Sequence, residues 1–349
     1  MSPDLSPDPA PVLCRYGWDA SWAQLALAHL ESGHVPGRVA RVDRGRVDVH
    51  TEHGRLRAAP GREVPAVGDW VVLASSVVTA VLPRRTVLTR ADASGRSEGQ
   101  VLAANVDTVL IAVPAEVGSR PGRVERLLAL AWESGATPVV VLTKVDGLED
   151  SPAAVADLAL AAPGAEVVAV SAVTGEGLDV VAAAAARGTT VLVGPSGAGK
   201  STLANALLGE EVLAVGEVRA RDGKGRHTTA HRELVALPSG GVLIDTPGLR
   251  AVGVRDAAEG IDRAFTDVVD LADACRFADC AHDHEPGCAV RAAVEAGELP
   301  ARRWAAYRKL VREDEWAAAR TDARLAAERR ARWKSIAKAQ RAAYRERGR

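Results

Sequence analysis

The sequence has no apolar run long enough to cross a bilayer, and few residues that mark secreted proteins. No stretch approaches the roughly 20 apolar residues that a membrane-spanning helix needs. The first ten residues are rich in Pro and Asp rather than basic and then apolar, so no secretory signal is evident. Three of the four Cys lie in one short stretch, which argues against a disulfide scaffold. We therefore expect a cytoplasmic protein without a membrane partner.

Positive and negative charges nearly balance over the whole chain but are unevenly placed along it. The 349 residues include 44 Lys and Arg and 45 Asp and Glu, and this length allows two or three domains. Residues 302–349 alone hold 16 basic and 6 acidic residues, so the remainder is acidic. A basic terminus on an acidic body favours a polyanionic partner, most simply RNA. A solvated Arg-rich helix is the alternative.

The first part of the chain predicts a leader followed by a small barrel. Residues 1–33 have the composition of a loose leader with a short helix around residues 21–31. Over residues 34–90, short alternating strands are separated by Gly and Pro, which is typical of an OB-type β-barrel. Such barrels often bind single-stranded nucleic acid, but aromatic residues for base stacking are scarce, at 3% of the chain.

Residues 91–255 have the pattern of an α/β domain. Apolar strands alternate with helical stretches and carry polar motifs at their carboxyl ends, which predicts a doubly wound parallel sheet with its ligand at that edge. The strands are expected at residues 106–113, 138–142, 167–170, 189–193 and 241–244.

A phosphate-binding loop follows the fourth of these strands. The sequence from Gly194 to Ser201 fits G-x-x-x-x-G-K-S and leads into a helical stretch. Glycines let backbone N–H groups surround phosphate oxygens, Lys200 would neutralise the β/γ charge, and Ser201 would supply a hydroxyl to Mg²⁺. The predicted nucleotide-binding residues here are Gly194, Pro195, Ser196, Gly197, Ala198, Gly199, Lys200, Ser201 and Thr202.

A guanine-reading tetrapeptide, Thr143, Lys144, Val145 and Asp146, precedes this loop in the chain. The carboxylate of Asp146 can accept two hydrogen bonds from guanine N1–H and N2–H₂, whereas adenine offers no such pair. Thr143 replaces the usual Asn, so one side-chain amide contact is lost or altered. Ser171 and Ala172, at the end of the next strand, are the usual companion loop, where a backbone N–H meets guanine O6.

A third motif, Asp245-Thr-Pro-Gly248, follows the last strand. Asp245 can hold Mg²⁺ through water, and the N–H of Gly248 can sense the γ-phosphate. An ordinary small GTPase has its guanine-reading motif last, whereas here it comes first. This order predicts a circularly permuted GTPase that binds GTP or GDP, because a cut in an exposed loop leaves the three-dimensional site intact.

A Gly-rich, charged segment before Asp245 has the composition of a switch loop. It contains His227, Thr228 and Thr229, and one of the two threonines would complete Mg²⁺ coordination. Leu249 occupies the place where signalling GTPases keep a water-orienting Gln. Hydrolysis must therefore be slow, or rely on another residue or on a partner, and His227 is the candidate for this task. A histidine that contacts only RNA or backbone is the alternative.

Three cysteines and a histidine lie close together near the C-terminus. Cys275, Cys280, His282 and Cys288 offer the four ligands that tetrahedral Zn²⁺ takes, and a closed set indicates one structural ion. His284 is a rival nitrogen donor, and reduced structural cysteines are the alternative.

Together these motifs resemble the RsgA family of ribosome small-subunit-dependent GTPases, from about residue 35 to the end. The resemblance rests on the order TKVD, SA, GPSGAGKS and DTPG, on GRHTT, and on CRFADCAHDHEPGCAV. It implies His282 rather than His284 as the zinc ligand and His227 as the switch histidine. It also implies an α/β multidomain protein, with a leader (1–33), an OB-type barrel (34–90), a permuted GTPase domain (91–255), a zinc module (256–301) and a basic helical tail (302–349).

The resemblance implies a monomeric factor in late maturation of the small ribosomal subunit. Its partners would be that subunit, ribosomal RNA and GTP or GDP, and the subunit would stimulate its hydrolysis. One alternative is an RNA-bound checkpoint in which GTP changes affinity and turnover is incidental. Another is a GTPase that acts on messenger or transfer RNA.

Overall fold

The computed structural model describes residues 11–31, 33–90, 100–115, 121–211, 233–245 and 257–321. These residues form a five-stranded antiparallel sheet, a six-stranded mixed sheet covered by helices, a two-stranded hairpin and a helical C-terminal part. Within these ranges, no helix has the length and apolar character to cross a membrane.

The five-stranded sheet forms from the segment predicted to be a barrel. Its order is β3-β2-β1-β4-β5. The two edges meet where Ala59 bridges Val77, so the sheet curls into the partly closed, five-stranded arrangement that an OB-type barrel requires. Its interior is small and aliphatic, which suits a narrow barrel. The strands are β1 (His34–Asp43), β2 (Arg46–Thr51), β3 (Gly54–Ala58), β4 (Trp70–Ala74) and β5 (Val77–Val81).

Two N-terminal helices, α1 (Pro11–Cys14) and α2 (Ala20–Leu27), pack on the outside of this sheet. Trp22 on α2 is buried against Trp70 on β4, with ring centroids 6.0 Å apart. The second half of the expected leader therefore covers the barrel, and its helix ends four residues earlier than the sequence predicted.

The six-stranded sheet has the order β10-β9-β8-β11-β13-β12, in which only β12 is antiparallel. Every side chain of β8 and β11 is buried, as expected for central strands covered on both faces. This confirms the predicted parallel sheet. The strands are β8 (Thr108–Pro114), β9 (Thr137–Thr143), β10 (Glu166–Val170), β11 (Thr189–Val193), β12 (Glu233–Ala236) and β13 (Val242–Asp245).

Helices cover both faces of this sheet and make three layers. Side chains of α3, α4 and α7 join the apolar core on one face, and those of α5 and α6 join the core on the other. Alternate residues of β8 supply the two cores, since successive side chains of a strand point to opposite faces. The helices are α3 (Pro121–Glu133), α4 (Ser151–Ala159), α5 (Leu178–Ala185), α6 (Lys200–Leu208) and α7 (Ala258–Ala264).

A hairpin of β6 (Val87–Arg90) and β7 (Gln100–Ala104) joins the two sheets. Leu88 and Leu102 pack with Leu127 of α3, so the hairpin belongs to the core of the six-stranded sheet. β6 lies inside the range predicted for the barrel but pairs outside the barrel sheet. The other expected domain boundaries stay predictions.

The C-terminal part contains α8 (Thr266–Asp273), α9 (Ala289–Ala296) and α10 (Ala301–Thr321). α10 begins the expected basic tail, yet its first turn is buried. The side chain of Arg303 is 2% exposed and forms ion pairs with Asp267 of α8 and Glu125 of α3. The side chain of Glu125 is fully buried. Removing one partner of such a network leaves a buried charge unpaired and costs about 3–5 kcal/mol. The start of the tail is therefore part of the folded body.

Candidate functional site

The loop from Gly194 to Ser201 joins β11 to α6, as its motif predicts. Gly194 has φ 142°, and a Cβ there would lie 2.5 Å from the carbonyl oxygen of Ala112 on β8. Only glycine fits this close approach without moving the backbone. Lys200 begins α6, and its Nζ donates to the carbonyls of Gly194 and Pro195 at 3.0 and 2.7 Å. The ammonium thus lies inside the loop, beside the helix N-terminus that favours anions.

The end of β9 contacts this loop directly. Thr143 is buried, and its Oγ1 donates to the carbonyl of Ala198 at 2.8 Å. A Cβ on Gly199 would lie 3.8 Å from the same hydroxyl. The sequence predicted that Thr143 would lose or change an amide contact, and the structure shows that its hydroxyl contacts the phosphate-binding loop instead. The first residue of the tetrapeptide therefore joins the segment predicted to read guanine to the loop.

Asp146 and Ser171 also come together at this edge. β9 and β10 are neighbours with Thr143 in register with Val170, so their ends lie side by side. Ser171 is fully buried, and its Oγ donates to Oδ1 of Asp146 at 2.7 Å. Asp146 as a whole is an exposed residue. The bond therefore holds one carboxylate oxygen of a side chain that is open to solvent.

Lys144 turns the chain between Thr143 and Asp146. It adopts φ 63° and ψ 38°, in the left-handed region, and precedes a single 3₁₀ turn over Val145–Gly147. Val145 is buried within the turn. Beyond this turn Asp146 is exposed, whereas Thr143, before it, is buried at the end of β9. Ala172, after Ser171, is half-buried.

Asp245 ends β13, the neighbour of β11, on the other side of the loop. Burial raises the pKa of its carboxyl, and the positive charge of Lys200 opposes that shift. The two side chains are therefore near enough to interact electrostatically. Ser201 and Thr202, in the first turn of α6, are half-buried. This set of a lysine, a carboxylate and hydroxyls is the type that Mg²⁺ and nucleotide phosphates bind.

Several predicted residues lie outside the described ranges. These are the switch histidine His227, the two threonines Thr228 and Thr229, the glycine Gly248, and Leu249. Their predicted roles stay predictions. Ser196 and Gly197 are described and exposed at the tip of the phosphate-binding loop.

The predicted metal ligands come together between α8 and α9. One ligand atom from each of Cys275, Cys280, His282 and Cys288 lies within 4.8 Å of the others. Nδ1 of His282 is 3.5 and 3.4 Å from the sulfurs of Cys275 and Cys288, which are 3.9 Å apart. For Zn–S near 2.3 Å and Zn–N near 2.0 Å, a tetrahedron needs edges of about 3.5–3.8 Å. The four ligand atoms are near these separations, so small side-chain shifts would let them hold one metal ion.

The ring of His282 is held by the start of α10. It packs edge-on against Trp304, with centroids 5.5 Å apart, and Trp304 stacks on Tyr307. His284 is exposed and is not part of the ligand group. Trp304 and Tyr307 therefore pack on the folded body, where Tyr307 also contacts the ring of Phe265. Trp316 is half exposed.

Comparison with known proteins places this site in a family. The model of the RsgA GTPase family matches residues 81–255. A relative from Streptomyces coelicolor, named small ribosomal subunit biogenesis GTPase RsgA, is 53% identical over 338 residues, covering 93% of this chain and 92% of that protein. A relative of the same name from Xanthomonas oryzae pv. oryzae is 44% identical, with 88% and 89% covered.

Two solved structures share the fold. YjeQ from Thermotoga maritima has a TM-score of 0.59 at 27% identity, covering 79% of this chain and 97% of that one. YloQ, described as a circularly permuted GTPase, has a TM-score of 0.58 at 24% identity, with 80% and 94% covered. The second likeness shows the fold alone. The family model, the near full-length relatives and the motif order agree, and the chain is therefore a circularly permuted GTPase that belongs to the RsgA GTPase family.

Proposed function

We propose that this protein hydrolyses GTP in late maturation of the small ribosomal subunit, on which it binds ribosomal RNA and is stimulated. The observation that carries the proposal is the meeting of the guanine-reading strand end with the phosphate-binding loop, through Thr143 and Ala198. The names of the relatives supply the ribosomal part of the proposal.

The proposed roles follow from where each side chain lies. Asp146 reads the guanine edge, and Ser171 orients its carboxylate. Lys200 moves from the carbonyls of its own loop to the β and γ phosphates, whose charge the α6 N-terminus also favours. Ser201, and Asp245 through a water, would hold Mg²⁺, which would supply positive charge beside the γ-phosphate. Further Mg²⁺ coordination by Thr228 or Thr229, γ-phosphate sensing by Gly248 and a catalytic His227 complete the proposal.

We further propose that the ion held by Cys275, Cys280, His282 and Cys288 is Zn²⁺. Three sulfurs and one imidazole are the ligands that structural zinc sites use. The segment between α8 and α9 has turns rather than regular structure, so the ion would supply much of its folding free energy. The protein acts as a cytoplasmic monomer in this account.

Phosphate release measured with and without purified small subunits tests the proposal. We expect slow multiple turnover alone and a strong increase on addition of subunits. Lys200→Ala should abolish both rates by removing the β/γ contact. If saturating subunits bind the protein but do not increase its rate of phosphate release, the result would favour an RNA-bound checkpoint. Failure to co-sediment with either subunit at low salt would favour a GTPase of messenger or transfer RNA.

A further inference from the structure

The barrel contacts the six-stranded sheet at the first residue of β12. Arg55 on β3 donates from Nη1 to Oε1 of Glu233 at 2.6 Å and from Nη2 to Oδ2 of Asp48 at 2.9 Å. Asp48 belongs to the barrel, and Glu233 belongs to the GTPase sheet. One guanidinium therefore bridges a carboxylate of each part.

A second barrel residue supports the same contact. His50 lies directly opposite Arg55 in the pairing of β2 with β3, so both side chains project from one face. The imidazole of His50 stacks on Tyr16, with ring centroids 4.0 Å apart. Burial lowers the pKa of His50, and the backbone of Leu234 and the charge of Glu233 oppose that shift. His50 therefore lies beside the same end of β12 that Arg55 contacts.

The register of the sheet links this contact to the nucleotide site. β12 pairs antiparallel with β13, and Glu233 is the cross-strand partner of Asp245. Asp245 ends β13, the neighbour of the strand β11 that leads into the phosphate-binding loop. The barrel therefore holds the strand position directly beside the proposed Mg²⁺-binding carboxylate.

The energetics argue that this contact positions residues more than it stabilises the fold. The side chains of Arg55 and Glu233 are 41% and 35% exposed, and pairs this exposed contribute on the order of 0–1 kcal/mol to folding. Asp48 also pairs with Arg55 and so restricts the orientation of the guanidinium that contacts Glu233. Small errors in the position of a reacting group are costly by comparison, up to about 100-fold in rate for 1 Å.

We propose that the Arg55–Glu233 ion pair positions Asp245 for GTP hydrolysis, and so couples the barrel to the nucleotide site. Both residues act through β13 and are positioning residues. The role of RNA in this inference rests on the proposed function. If the barrel binds ribosomal RNA, a movement of the barrel would change the position of Asp245 through this ion pair.

A double-mutant cycle with Arg55→Ala and Glu233→Ala tests the inference. We would measure kcat, KM and GTP dissociation constants of the full chain, alone and with small subunits. Arg57→Ala is the matched control, because Arg57 lies two residues further along β3 and, among the described residues, forms ion pairs only with Asp43 and Asp48 of the barrel. Glu233→Gln removes the charge while keeping the size of the side chain, in case the alanine variant unfolds.

We expect each single variant to lower kcat by up to about fivefold, with KM and GTP affinity unchanged. The double variant should be no slower than either single variant, and Arg57→Ala should match the wild type. Equal behaviour of Arg55→Ala and Arg57→Ala, or additive losses in the double variant, would overturn the inference. If subunits fail to stimulate the wild type, the proposed ribosomal function is wrong. The double-mutant cycle measured on kcat without subunits still tests whether the ion pair positions Asp245.

Discussion

The hydroxyl of Thr143 donates to the carbonyl of Ala198 over 2.8 Å and joins the end of β9 to the phosphate-binding loop. The two residues are 55 positions apart, and the strand that ends in Thr143 comes first in the chain. Because β9, β8 and β11 are adjacent and parallel, their carboxyl ends share one edge of the sheet. The reordered motifs meet there through a direct hydrogen bond.

Thr143→Val should weaken GTP binding, because valine keeps the shape of the side chain but lacks the hydroxyl that donates to Ala198. Loss of one hydrogen bond costs about 0.5–1.5 kcal/mol, which corresponds to roughly 2- to 13-fold in affinity. Titration calorimetry with GTP measures the change. Thr137→Val is the control, because Thr137 is exposed at the opposite end of the same strand. Equal GTP affinity in Thr143→Val and wild type would show that the bond has no part in the site.

Asp245→Asn should stabilise the nucleotide-free protein while abolishing GTP hydrolysis. Burial raises the pKa of Asp245, so its ionised form is less favourable in the folded than in the unfolded chain. The contribution of this carboxyl to the free energy of unfolding is fully present at pH values below its pKa in the unfolded chain. That contribution is lost as pH rises through the raised pKa of the folded protein. Urea unfolding at pH 7 should therefore give a higher free energy for Asp245→Asn, whereas the exposed Asp179→Asn should change little. A lower value would contradict the account.

Cys280→Ala should remove the bound metal. Elemental analysis of the wild type should give about one zinc per chain, and the variant should give nearly none. Cys14→Ala is the matched control, because Cys14 is an exposed cysteine far from the cluster in sequence. Chelation of the wild type should lower its thermal midpoint, since the ion holds the segment between α8 and α9. A full zinc content in Cys280→Ala would refute the ligand assignment.

Ending the chain after Thr321 should weaken RNA binding and leave GTP binding intact. Residues 322–349 carry 10 basic and 3 acidic residues, so their loss should reduce the dependence of RNA affinity on salt. The matched comparison is truncation after Trp304, which also removes Glu313, the partner of Arg126. That shorter chain should lose stability as well. An unchanged salt dependence after the first truncation would exclude the distal tail from RNA binding.

The sequence predicted those features that depend on local pattern. The central strands β8, β9 and β11 are nearly continuous apolar runs, because they are buried on both faces. The tetrapeptide from Thr143 and the phosphate-binding loop each follow such a run. The glycines of the phosphate-binding loop and the spacing of Cys275, Cys280, His282 and Cys288 are equally local. These residues lie where the motifs placed them.

The features that the sequence did not predict depend on contacts between distant segments. Arg303 looks like one more basic tail residue, and only the fold shows its bonds to Glu125 and Asp267. Arg38 likewise looks like an ordinary strand residue, yet it is buried at the junction and donates to Thr189 of β11 at 2.8 Å. Burial lowers the pKa of Arg38 to about 10, so it stays charged at neutral pH. No local pattern distinguishes such arginines from exposed ones.

Nucleotide selectivity of the wild type and of Asp146→Asn tests the central claim most directly. The claim is that Asp146, held by Ser171, reads guanine beside a loop that follows it in the chain. Competition of GTP and ATP against a fluorescent GDP should show a strong preference for GTP in the wild type. The preference should collapse in Asp146→Asn, because the amide NH₂ that replaces one carboxylate oxygen is a donor and would face a guanine N–H. Unchanged preference in that variant, or equal binding of ATP by the wild type, would contradict the account.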